Sequence, residues 1–191
     1  MKAIGFAGYS GAGKTTVLEQ IIRVLRERGV RVSVVKHAHH DVDVDVPGKD
    51  SWRHRKAGAF EVLLVTEKRM ALMREFDEPR EDLSVHEMLA ELDPSVDWVI
   101  VEGFKQSELP KIEIWREPAA GDKPRTLRYP GDAAILAIAT DDASCLPRDC
   151  TLPVLDLNDP AKIVEWMLAN GARFEYAEYA PTAPNNQENL L

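Results

Sequence analysis

The chain has 191 residues, 45% of them hydrophobic, and a formal net charge of −8. That suffices for one substantial α/β core with embellishments, and it argues against non-specific binding to nucleic acid or anionic membranes. No run of about 20 apolar residues occurs, so neither a membrane span nor a signal peptide is supported and a cytoplasmic protein is expected; Cys145 and Cys150 are too few for a disulfide framework or a complete zinc site.

Residues 2–7 form a short apolar run that reads as a buried parallel strand. Residues 8–15, GYSGAGKT, then fit the pattern Gly, four residues, Gly-Lys-Ser/Thr, the phosphate-binding P-loop. Gly8, Gly11 and Gly13 let successive amide N–H groups converge on phosphate oxygens. Lys14 adds a mobile cation for the β- and γ-phosphates, and the Thr15 hydroxyl suits Mg²⁺, which prefers hard oxygens. From Thr16 onward, Val17, Leu18, Ile21, Ile22 and Leu25 fall at helical spacing, ending near Gly29. The helix would point the positive end of its dipole at the bound phosphates.

Residues 30–35 read as a second strand running into Lys36-His37-Ala38-His39-His40-Asp41. This segment and the acids after it allow a zinc or nickel loop, a solvated polar loop, or a loop beside the phosphates. Because ligands bind beyond the carboxyl ends of parallel strands, Lys36, Lys49 and Asp50 are its candidates for phosphate or Mg²⁺ contacts. A short helix over 52–57 follows, capped by Asp50-Ser51. Residues 60–65 and 70–73 then read as two strands joined by a turn, and Ser84 with Glu87 opens a helix ending near Asp93-Pro94.

Residues 97–105, DWVIVEGFK, are a continuous apolar run ending in an acid, as a buried strand delivering a carboxylate to Mg²⁺ or its water would be. Glu102 fits that role; the alternative is a strand-terminating acid facing solvent. Lys105 and residues 110–116, PKIEIWR, alternate polar and apolar side chains and read as a strand projecting from the core. Residues 118–130 read as a mobile loop. Residues 134–139 and 152–155 complete the strands. Asp141, after the first of these, either accepts hydrogen bonds from guanine N1–H and its exocyclic amine or, with Asp142, caps the next turn. Asp159-Pro160 opens a last helix closed by Asn170-Gly171.

Together GYSGAGKTT, VVKHAHHDVDVDVPGKDSWRHRKAGA, VIVEGFK and LPKIEIWR resemble the molybdopterin-guanine dinucleotide biosynthesis protein B (MobB) family over about residues 2–170. The resemblance implies a dimeric P-loop protein that binds GTP and Mg²⁺, hydrolyses GTP weakly, and assists the guanylyltransferase that joins GMP to molybdopterin. It carries phosphate binding onto Gly11, Gly13, Lys14, Thr15 and Thr16, with Ala12 between them, and Mg²⁺ assistance onto Thr15, Asp50 and Glu102. Lys36, Lys49, Lys105 and Lys111 follow as anion contacts. Lys14 and Glu102 are the expected catalytic pair, with Gln106 a further candidate for positioning water. A small-molecule ATP kinase, or a metal-insertion GTPase using the histidine loop, shares the same pattern.

The expected fold is a P-loop NTPase, three-layer α/β/α, with a mostly parallel sheet and an extended hairpin or arm from residues 60–75 and 108–118. A single domain is expected over 1–172, with 173–191 a disordered or partner-docking tail. Exposed strand edges would be covered in a homodimer.

Overall fold

The computed structural model describes residues 1–38, 42–78, 80, 83–119 and 121–177. They fall into two compact units. The first comprises Met1–His37 and the described residues from Val85 onward; the second is Ala38–Ser84.

In the first unit six parallel strands, β1 (Lys2–Ala7), β2 (Val32–Lys36), β5 (Trp98–Glu102), β6 (Lys111–Trp115), β7 (Ile135–Thr140) and β8 (Val154–Asp156), lie in the order β2-β5-β1-β6-β7-β8. Strand alternation sorts the core into two layers. On one face Ile4, Phe6, Ile100, Ile112 and Ile114 meet Val17, Leu18, Ile21 and Leu25 of α1 (Lys14–Glu27) and Ile163, Val164 and Met167 of α4 (Pro160–Ala169). On the other, Ala3, Val99 and Val101 meet Val85 and Leu89 of α3 (Val85–Ala90). This is the three-layer α/β/α arrangement expected of the sequence.

β6 corrects the expectation of an arm over 108–118. All of its residues are buried, and it pairs with β1 on one side and β7 on the other. Its polar positions are not solvent-facing. Lys111, 2% exposed, donates through Nζ to Asp132 Oδ2 at 2.8 Å. The stem of Lys111 passes over Gly5, where a Cβ would lie 2.8 Å from Lys111 Cγ. Glu113, fully buried, accepts from the backbone N–H groups of Arg128 (2.8 and 3.1 Å) and Tyr129 (3.0 Å). Period-two alternation signals one wet face only when the polar side chains have no internal partners.

Within residues 173–177 of the expected tail, Phe174 enters the core and its neighbours hold to the N-terminal strand. Phe174, 1% exposed, packs on Trp98 and Trp166, Glu175 bridges to Lys2, and the Tyr176 N–H donates to Met1 O at 3.1 Å. Residues 178–191 lie outside the described residues.

The second unit holds α2 (Asp50–Lys56) and the antiparallel pair β3 (Glu61–Val65) and β4 (Met70–Arg74). This hairpin matches the two strands expected over 60–73. Arg55 ties the unit together, contacting Asp43 (2.6 Å), Asp45 (3.2 Å) and Glu75 (2.5 Å).

Removing one partner of a buried ion pair strands the other. Asp132→Ala is therefore expected to destabilise the protein by about 3 kcal/mol, the low end for a broken buried pair because Asp132 keeps some solvent contact. The corresponding fall in melting temperature is about 6–12 °C. Lys111→Met removes the buried charge itself and is expected to cost less; calorimetry giving the reverse order would contradict the pairing described for β6.

Candidate nucleotide-binding site

The loop between β1 and α1 takes the shape its glycines require. Gly8 has φ 151°, and a Cβ there would stand 2.5 Å from the backbone oxygen of Ile114. Gly13, with φ 88°, forms the N-cap of α1, and its carbonyl accepts the first helical hydrogen bond from Val17 N–H at 3.1 Å. Ala12 is buried beneath the loop, while Gly11, Thr15 and Thr16 are exposed. Lys14 donates through Nζ to the carbonyl oxygens of Gly8 (3.1 Å) and Tyr9 (2.7 Å).

Strand register brings the remaining central residues together. Glu102, the last residue of β5, is paired with Lys36 at the end of β2 and with Phe6 near the end of β1. The Thr15 hydroxyl donates to Glu102 Oε1 at 3.1 Å, and Lys36 Nζ lies 3.4 Å from Glu102 Oε2. A hydroxyl and a carboxylate thus converge on the mouth of the loop, two hard oxygen donors of the kind Mg²⁺ takes. The chain after Glu102 turns sharply: Gly103 has φ 103° and Phe104 φ 43°, the latter costing about 1–2 kcal/mol for a residue with a Cβ. Phe104 stacks on His37 with ring centroids 4.7 Å apart.

Burial pulls the Lys14 ammonium below its ordinary pKa. Glu102 opposes that shift, while Lys105, Lys36 and Arg128 reinforce it. A phosphate added beside Lys14 would offset both the desolvation and the repulsion with an opposite charge.

Asp141 follows β7, with its Oδ2 3.3 Å from Arg116 Nε. Asp142, not Asp141, caps the next turn, accepting from Ser144 N–H at 2.9 Å. Lys49 and Asp50 belong to the second unit, where Lys49 precedes α2 and Asp50 lies 3.9 Å from Arg53. Lys111 is committed to Asp132 inside the sheet, which corrects its reading as an anion contact. His39, His40 and Asp41 lie outside the described residues, and among the described residues no group of three or more His, Cys, Asp or Glu side chains is placed to hold a metal.

Several cationic neighbours of the loop were not singled out from sequence. Arg128 and Arg125 stand over the Tyr9 ring at 5.3 and 5.9 Å from its centroid. The Tyr9 hydroxyl bonds to Thr126 Oγ1 at 3.1 Å and accepts from its N–H at 3.2 Å. Arg116 lies against Gly13, 3.6 Å from where a Cβ would be. For Arg125 and Arg128 the available signal was the density of Lys and Arg in a stretch, 118–130, read only as a mobile loop.

A glycine-rich loop between the first strand and helix of a parallel sheet, with an acid from the adjacent strand bonded to the loop threonine, defines a P-loop nucleotide-binding α/β protein. The sequence model of the family described as "Molybdopterin guanine dinucleotide synthesis protein B" matches residues 3–141. The chain is 40% identical over 169 residues to the molybdopterin-guanine dinucleotide biosynthesis adapter protein of Escherichia coli (strain K12), covering 86% of this chain and 92% of that one. It is 39% identical over 165 residues to the adapter protein of the same name from Haemophilus influenzae, covering 86% of each. A crystal structure of molybdopterin-guanine biosynthesis protein B superimposes with a TM-score of 0.65 at 25% identity, covering 87% of this chain and 98% of that one. The chain belongs to the MobB family.

Burial pushes the Glu113 carboxyl above its ordinary pKa of 4.5, with the Arg128 and Tyr129 amides pulling the other way. An acid with a raised folded-state value binds its proton more tightly in the native state, so its contribution to stability falls as pH rises from the unfolded value through the folded one. Glu113→Gln is expected to flatten stability against pH just above 4.5. Urea titrations across that range would show it; an unchanged slope would contradict a raised value.

Proposed function

We propose that this protein binds GTP with Mg²⁺ at the P-loop, hydrolyses it slowly, and serves as an adapter in the guanylylation of molybdopterin. The observation that carries this reading is the Thr15 hydroxyl bonded to Glu102 at the mouth of a loop that already holds Lys14. The relatives' names supply the pathway, molybdopterin-guanine dinucleotide biosynthesis. The partners would be the molybdopterin guanylyltransferase, other molybdenum cofactor proteins, molybdopterin itself and a second copy of this chain. No helix is long and apolar enough to cross a membrane among the described residues, and the cytoplasm is the proposed location.

In this reading Gly11, Ala12, Gly13 and Thr16 present the backbone of the loop and first helical turn to the phosphates, and Lys14 turns from the loop carbonyls to meet them. Thr15 and Glu102 would hold Mg²⁺, which would supply charge neutralisation at the β- and γ-phosphates. Glu102 would also orient water for in-line attack, with Lys36 holding its carboxylate in place. Asp141, at the carboxyl end of β7, would accept the guanine N1–H and amine.

Thermal unfolding with Mg²⁺ and GTP, against Mg²⁺ and ATP, tests the base. A ligand at a hundredfold over its Kd adds about 2.7 kcal/mol, or roughly 5–11 °C here. A GTP shift exceeding the ATP shift and lost in Lys14→Ala is the expected result, and a larger ATP shift would overturn it. Glu102→Gln is expected to keep nucleotide binding while lowering hydrolysis at least tenfold. If cofactor assembly continues in that variant, occupancy rather than hydrolysis is what the adapter uses.

A further inference from the structure

Beside the P-loop lies an open cavity of about 470 Å³, lined by Tyr9, Lys105, Gln106, Thr126, Arg128 and Asp132 among others. Its wall is fixed at two points. The Tyr9 hydroxyl is bonded to Thr126, and the Arg128 N–H is bonded to the buried carboxylate of Glu113. These bonds seat Arg128 against the face of Tyr9.

The charges in this cavity are unbalanced. Asp132, the one acid among the described lining residues, is engaged by Lys111 at 2.8 Å. Among the described residues, neither Lys105 nor the Arg128 guanidinium has an ion pair or side-chain hydrogen bond, and Arg128 Nε is buried without an acceptor. Leaving a buried donor unsatisfied is unfavourable, a penalty that a bound oxyanion would remove. The volume exceeds what a lone phosphate fills and lies in the range of small-molecule sites. Gln106 adds an amide with two donors and an acceptor, and Tyr9 an aromatic face.

We propose that this cavity is a second anion subsite, taking the phosphomonoester of a small molecule held at the same time as the nucleotide, with Arg128 and Lys105 as the phosphate ligands. The proposal deepens the functional reading above by giving the second ligand a phosphate, and rests on it only in that a nucleotide occupies the neighbouring loop. The terminal phosphate of the nucleotide is the other source of the same chemistry.

The two sources separate in a calorimetric titration of phenyl phosphate into the full chain, with and without saturating Mg²⁺ and a non-hydrolysable GTP analogue. Saturable binding at one site, retained with the analogue present, is expected. Arg128→Ala should weaken phenyl phosphate at least tenfold while changing analogue affinity less than threefold, and Arg128→Lys should fall between. The Arg128 N–H bond to Glu113 does not involve the altered side chain, and an unchanged melting temperature would verify that the fold is kept. Displacement of phenyl phosphate by the analogue, or an equal loss of analogue affinity in Arg128→Ala, would assign these cations to the nucleotide and overturn the proposal. Absence of saturable binding would overturn it too. Phenyl phosphate binding that depends on Arg128 in a protein that binds no nucleotide would support the subsite and sink the GTP reading instead.

Discussion

Two charged side chains, Lys111 and Glu113, are buried in the interior strand β6, and neither can remain there without partners. The partners all come from one segment: Asp132 for Lys111, and the N–H groups of Arg128 and Tyr129 for Glu113. The path of the chain between β6 and β7 is therefore set by the need to satisfy the strand beneath it. That path carries Arg125, Thr126 and Arg128 to Tyr9 and so to the edge of the P-loop. A polar demand inside the sheet thus determines the charge at its ligand-binding end.

The consequence is a cationic sheet edge on a chain of net charge −8. Lys105, Lys36 and Arg128 each repel the Lys14 ammonium, and Glu102 opposes them. Burial first, and this repulsion second, hold the Lys14 ammonium below its ordinary pKa. Anions of high charge density reverse the balance, because each added phosphate oxygen replaces a repulsion with a charge-assisted hydrogen bond. The net charge of −8 disfavours polyanions such as nucleic acid.

Much of this was legible in the residues. The P-loop, its flanking strand and helix, and the acid at the end of β5 were read from local pattern, since each rests on spacing within a short segment. The contact between Thr15 and Glu102 needed only the rule that parallel strands end on one side. What the sequence concealed was long-range compensation. KIEIW looks half-exposed because its lysine and glutamate have partners 21 and up to 16 residues away, separations no periodicity reveals. Arg128 was hidden for the same reason, its position being set by Glu113 rather than by its neighbours. At the C-terminus Phe174 carried no repeat that could announce its packing on Trp98.

The second unit follows a different physical logic. Its helix α2 buries no residue, and its hairpin leaves Leu63, Leu64, Val65, Met70 and Leu72 exposed. Two five-residue strands are marginal alone in water. What holds the unit internally is polar: Arg55, 8% exposed, gathers Asp43, Asp45 and Glu75, which hold its guanidinium firmly protonated. Such a cluster fixes geometry more than it adds stability, because the desolvation of its charges offsets most of their attraction.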